Sequence, residues 1–120
     1  MPRPVHFELS AEDPERALGF YKEVFGWKAE KSDGPMPYWH ILTGPKDEPG
    51  IDGGLLVRSE MTVQNCNTME VPSVDDYIAK ITAAGGKIVV PKMEIPGIGF
   101  MAYCTDTEGN WFGIIEFAKK

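Results

Sequence analysis

Residues 5–27 read VHFELSAEDPERALGFYKEVFGW, and they hold a strand, a turn, a helix and a stop in that order. Val5, Phe7 and Leu9 alternate with His6, Glu8 and Ser10, the two-residue period of a strand buried on one face. Asp13 is a good helix N-cap, Pro14 suits the first helical position, and Glu15 favours the positive end of the helix dipole. Ala17, Phe20, Tyr21, Val24 and Phe25 recur at i, i+3, i+4, i+7 and i+8, so one face of the helix is apolar. Gly26 can end the helix in the left-handed conformation. His6 stands among the polar residues of the strand. Whether it holds a metal or is an ordinary strand histidine decides how the chain's chemistry is read.

Working outward, WKAEK and YWHILTG read as strands around the turn-rich SDGPMP, GPKDEPGIDGG as a loop, and GGLLVR (53–58) as a fourth short strand. The pattern then returns. NCNTMEV is a strand, Ser73 an N-cap with Asp76 three residues on, and Val74, Tyr77, Ile78 and Ile81 an apolar stripe that Gly85-Gly86 stops. KIVVPKMEI, FMAYCTD and WFGIIEF follow as strands, the last two joined by TEGN. Sliding residues 66–81 back by 60 aligns Ser73 with Asp13 and one stripe with the other. A repeat this long is not a solenoid unit. The expected architecture is α+β: one domain over 1–120, built of two βαβββ modules (about 1–60 and 61–120) related by pseudo-two-fold symmetry. Their curved mixed sheets should enclose a cavity, with one helix outside each.

Composition narrows the partners. At 120 residues the chain can bury a core, and its 42% apolar and 25% charged residues are those of an ordinary globular domain. The net charge is −6 with no Lys/Arg cluster, which argues against nucleic acid and anionic membranes. No apolar run approaches the ~18 residues that a bilayer span needs. MPRPVHFEL is too short and interrupted for an export segment, so Cys66 and Cys104 are expected as thiols in a cytoplasmic protein. The nucleophile elbow GxSxG, the phosphate loops GxxxxGK[ST] and GxGxxG, and paired His or Cys at metal-finger spacing are all missing. Glycines 50, 53, 54, 97, 99 and 113 read instead as bends in curved sheets and as room inside a cavity.

Four motifs together carry a resemblance. His6 in the first strand, DPERALGFYKEVFGW, AGGKIVVPK and the closing DTEGNWFGIIE resemble the vicinal-oxygen-chelate superfamily of glyoxalase I, bleomycin-resistance proteins and extradiol dioxygenases. The likeness covers nearly the whole chain. Thr107 departs from it, standing where many members have proline. The resemblance implies sheets curved around a cavity, a homodimer, and in metal-dependent members a divalent ion (Zn, Ni, Mn or Fe).

In the glyoxalase I pattern, the first and last strands of each module supply a His or Gln and then a Glu. A cation there needs three or four N/O donors within about 2.0–2.3 Å of one point. His6 matches the first position and, through the repeat, Cys66 matches its counterpart. The last-strand positions fall near Gly54 and Gly113, which have no side chain. Strand parity turns Phe112 and Ile114 toward the helix, leaving Trp111, Gly113 and Ile115 to the cavity and sending Glu116 away from it. Trp39 and Ile41 should pack under the helix, leaving Tyr38, His40 and Leu42 on the cavity side. Glu8 shares a face with His6, and Glu70 with Cys66, so both join His6 as candidate acid–base groups. Arg58 shares a face with Gly54 and could meet an anionic ligand. The expected cavity lining is thus His6, Glu8, Tyr38, His40, Gly54, Arg58, Cys66, Glu70, Trp111, Gly113 and Ile115. His6 and Cys66 are the only metal candidates at the pattern positions.

Two readings of function follow, with a third behind them. The loss of both carboxylate positions favours a metal-free protein that binds a small molecule between the modules, similar to the bleomycin-resistance branch. His6 alone favours a divalent-metal lyase or isomerase of the lactoylglutathione lyase type, with a carboxylate moving the proton. The third is an accessory interaction module. The sequence does not decide whether the chain is an enzyme.

Overall fold

In the computed structural model, residues 2–34, 36–59 and 65–118 are described. The chain divides into a unit of His6–Asn65 and a unit of Met1–Val5 with Cys66–Lys120. The module boundary expected near residue 60 lies in 60–64, outside the described residues, as does Pro35 of the SDGPMP turn.

The first unit holds β1 (Pro4–Ala11, less its first two residues), α1 (Pro14–Phe25), β2 (Lys28–Lys31), β3 (Tyr38–Leu42) and β4 (Gly53–Val57). Its strands run in the order β2-β3-β4-β1. β1 and β4 are parallel and the other pairs antiparallel. The second unit holds β5 (Cys66–Glu70), α2 (Val74–Ala83), β6 (Lys87–Ile95), β7 (Gly99–Thr105) and β8 (Trp111–Phe117), in the matching order β5-β8-β7-β6. Here too the first and last strands are parallel and the rest antiparallel. The fold is the α+β, twice-βαβββ architecture that the sixty-residue repeat predicts. Pro91 cannot donate to a ladder, and the β6–β7 register slips across it, between Val90 and Met93, and once before it, between Ile88 and Val90. Among the described residues no helix is long and apolar enough to cross a membrane.

Both helices start on the residues the sequence marks. Asp13 Oδ1 accepts from Arg16 N–H at 3.1 Å, and Ser73 Oγ accepts from Asp76 N–H at 3.1 Å. Glu116 Oε1 accepts from Val74 N–H at 2.9 Å, a second acceptor at the start of α2. Gly26, at φ +74°, closes α1 by donating to the Lys22 carbonyl at 2.9 Å.

The helices differ in how they pack. Under α2, Val71, Val74, Ala102, Cys104 and Ile114 form a buried cluster that Tyr77, Ile78, Ile81 and Phe112 extend. Under α1 the buried residues are Ala11, Ile41 and Leu55, all from the sheet, and α1 itself contributes no fully buried side chain. The apolar face expected on α1 is therefore split. Ala17 turns to the core together with Leu18, and Tyr21 stacks on Trp27 at 4.9 Å. Phe20, Val24 and Phe25 stay 57%, 54% and 60% exposed. The periodicity gives a helix face but not the depth to which that face sinks.

Candidate functional site

The sheet of the first unit has one apolar and one polar face. Phe7, Leu9, Ala11, Trp39, Ile41 and Leu55 make up the core face. Register then puts Glu8, Gly54 and His40 in one row across β1, β4 and β3 on the other face, with Ser10, Leu56 and Tyr38 in the next row. His6 shares that face by strand alternation.

Tyr38 organises this polar face. Its ring lies over Gly54 so closely that a Cβ at residue 54 would meet the hydroxyl. From there the hydroxyl reaches His6 Nε2 at 3.0 Å. His40 stands edge-on to the same ring, 5.0 Å between centroids. Glu8, which pairs with Gly54 across the strands, is buried, 7% exposed.

The electrostatics follow from burial. Loss of hydration, and next the neighbouring His40, hold the His6 imidazole below its ordinary pKa against the opposing pull of Asp52. Burial, and next Glu8, keep the Tyr38 hydroxyl protonated well above the usual tyrosine range. A protonated hydroxyl against a neutral imidazole suits O–H donation to Nε2, with the ring proton on Nδ1. Asp52, absent from the sequence-derived set, is fixed by accepting from Thr43 N–H at 2.9 Å and from Thr43 Oγ1 at 3.2 Å. Its only sequence signal is its place just before the Gly-Gly that opens β4.

The second unit carries its own comparable face. Cys66, Thr68 and Glu70 alternate along β5, and Thr68 and Glu70 pair across the sheet with Gly113 and Ile115 of β8. A Cβ at Gly113 would come within 2.8 Å of Met101 Cε and 3.0 Å of Thr68 Oγ1. Thr68 is 1% exposed, and its hydroxyl has no hydrogen-bond partner among the described residues. Ile115 is buried, and Trp111, Cys66 and Glu70 are half-buried. Phe112 and Ile114 lie on the opposite face in the α2 core. So does Cys104, whose thiol burial pushes up to about 11. No disulfide joins the two cysteines.

Arg58 lies elsewhere. Just beyond β4, it donates through Nη2 to the Ser10 carbonyl at 3.1 Å and through Nε to Ser10 Oγ at 3.4 Å. It lines a groove with Leu9, Ala11 and Leu55 of the core face, apart from His6.

The glyoxalase-type ion can be tested against these residues. At the first pattern position, His6 already bonds Tyr38. At the second, the space a carboxylate would need is filled by the Tyr38 ring. At Gly113 the space is bordered by the Met101 methyl and the Thr68 hydroxyl, and Glu116 is committed to the start of α2. Among the described residues no group of three or more His, Cys, Asp or Glu could hold a metal. The residues present do not fit the ion.

Comparison with known proteins agrees with this architecture. Residues 3–114 match the family model of the Glyoxalase/Bleomycin resistance protein/Dioxygenase superfamily. A glyoxylase-like domain-containing protein of Didymella fabae is 31% identical over 114 residues, covering 89% of this chain and 88% of that protein. CFP32 of Mycobacterium tuberculosis, provisionally named a glyoxylase, is 27% identical over 94% of this chain. The chain spans only 43% of that protein's length. Among solved structures, methylmalonyl-CoA epimerase from Mycobacterium tuberculosis matches with a TM-score of 0.68 at 14% identity, over 97% of this chain and 88% of the epimerase. At that identity the likeness shows the fold alone.

Proposed function

The chain belongs to the Glyoxalase/Bleomycin resistance protein/Dioxygenase superfamily, and from that premise we propose that it binds a small polar organic molecule on the His6–Tyr38 face without a resident divalent ion. The observation that carries this reading is the Tyr38 hydroxyl, seated over Gly54 and bonded to His6 Nε2. A side chain of this chain fills the volume that a ligating carboxylate would take. What remains is a protonated hydroxyl, a neutral imidazole, a second imidazole at His40 and the carboxylate of Glu8. Such a set positions carbonyl and hydroxyl groups by hydrogen bonding.

Thermal-shift screening of polar metabolites, with metal analysis of protein purified without chelator or affinity metal, tests the reading. A ligand that raises the melting temperature in the parent protein and fails to do so in Tyr38→Phe supports it. A stoichiometric divalent ion that disappears in His6→Ala would refute it.

The alternative is a divalent-metal lyase or isomerase, the reading that His6 alone favours. Methylmalonyl-CoA epimerase from Mycobacterium tuberculosis lends it a precedent on this fold, but a shared fold does not carry a reaction. Turnover of a methylglyoxal–thiol hemithioacetal on addition of Ni²⁺ or Zn²⁺ would establish it. Self-association into a homodimer, which the resemblance implies, is read by light scattering on the eluting protein.

A further inference from the structure

The two modules share one topology, yet only α2 fills the space beneath it. Between α1 and the sheet of the first unit lies an open groove of about 440 Å³, whose described lining residues all belong to that unit. That volume falls within the range of small-molecule sites, roughly 300–1,000 Å³. The sequence repeat explains the groove. Ala11 stands sixty residues before Val71, and Ala17 sixty before Tyr77. Val71 is buried in the α2 core and Tyr77 packs against it. Ala11 and Ala17 both line the groove. Two larger side chains of the second module are thus small ones in the first, and both small ones border the groove.

The lining has a definite chemistry. Leu9, Ala11 and Leu55 of the sheet are apolar, and α1 adds the rings of Phe20 and Tyr21. Phe20, 57% exposed, has an aromatic surface that the protein leaves uncovered. Two guanidinium side chains, Arg16 and Arg58, also line the groove. Arg58 is oriented by Ser10 through neutral oxygen acceptors, so its positive charge is not neutralised by that contact. Two carboxylates lie there as well, Glu12 and Asp13; Asp13 caps α1 and keeps its charge, but among the described residues neither lies within ion-pair distance of Arg16 or Arg58.

We propose that this groove is a second ligand site, separate from the His6–Tyr38 face, and that it takes a small aromatic carboxylate. The ring packs against Phe20 and Tyr21 beside Ala11 and Ala17, and the carboxylate pairs with the guanidinium of Arg58, assisted by Arg16.

Benzoate is the probe, with benzamide as its neutral counterpart. Titration calorimetry should show saturable benzoate binding at one site per chain, at least tenfold tighter than benzamide. Arg58→Gln should weaken benzoate at least tenfold without changing the benzamide affinity. Ala17→Tyr, which installs the residue of the second module, should abolish binding while holding or raising the melting temperature of the ligand-free protein. If that variant does not fold, Ala11→Val makes the same test with two carbons, and at least a tenfold loss is expected. No benzoate binding at 10 mM, equal affinity for benzoate and benzamide, or unchanged binding in the filled variants would overturn the proposal. So would loss of benzoate binding in His6→Gln, which would place the ligand on the other face.

Discussion

Tyr38 and Gly54 form a lock between neighbouring strands. The glycine makes room, the ring fills it, and the hydroxyl ends on His6. Gly54→Ala should therefore cost about 1–3 kcal/mol, the usual penalty for forcing volume into a packed site. Denaturant unfolding should show most of that cost recovered in Gly54→Ala/Tyr38→Leu, because the ring is what the new methyl meets. His6 gives a second measurement. Folding lowers its pKa, so the unfolded chain takes up the proton first as pH falls. The stability from neutral His6 is full above pH 6.5, declines as pH drops below it, and levels off once the folded imidazole is protonated too. Unfolding curves between pH 8 and 5 should show this decline in the parent and a flatter profile in His6→Gln. At this scale the sequence discloses direction but not reach. Two-residue alternation separates Trp39 and Ile41 from Tyr38 and His40, and it sends Glu116 to the helix side, where it caps α2. That Tyr38 crosses to His6 depends on the register of β1, β4 and β3, and no local pattern encodes register across three strands.

The elements were legible where one residue decides them and illegible where volume does. Asp13 and Ser73 cap their helices as their types dictate, because a side-chain oxygen at that place satisfies an orphan N–H whatever lies beyond. Each cap replaced by alanine should cost about 1 kcal/mol in denaturant unfolding. Burial of a helix face is a collective outcome. The stripes of α1 and α2 look alike in spacing, yet only α2 places a residue, Val74, wholly inside. At the matching positions the first module has Pro14 for Val74, and Ala11 and Ala17 for Val71 and Tyr77, size differences that a binary apolar pattern does not register. α1 should accordingly open more readily than α2. Hydrogen exchange should show faster exchange for the interior amides of α1, residues 18–25, than for residues 78–83 of α2. Equal protection of the two helices would mean that α1 is held by something other than the groove-facing contacts described above.

On the scale of the molecule, topology and ligand set come from different residues. The caps, stops and alternating strands that build each βαβββ unit recur at a sixty-residue spacing, and residues 54 and 113 enter their sheets through backbone alone. A fold of this kind can therefore keep its architecture while the pattern positions change, and fold is the weaker guide to chemistry. In this chain the changes are filled in: Tyr38 over Gly54, and Met101 with Thr68 beside Gly113. A resident ion would leave a clear thermodynamic mark. Held at a hundredfold over its dissociation constant, it stabilises the folded state by about 2.7 kcal/mol. For a domain of this size, removing it would lower the melting temperature by roughly 10 °C. The expected result is no such drop. Dialysis against EDTA should leave the melting temperature within about a degree of its starting value, and adding back Zn²⁺, Ni²⁺ or Mn²⁺ should give no saturable rise, because each of the two glycines lacks both a donor and the room to bring one in. A chelator-induced fall reversed by one equivalent of a single cation would show that oxygen or nitrogen donors converge by a route other than the four pattern positions.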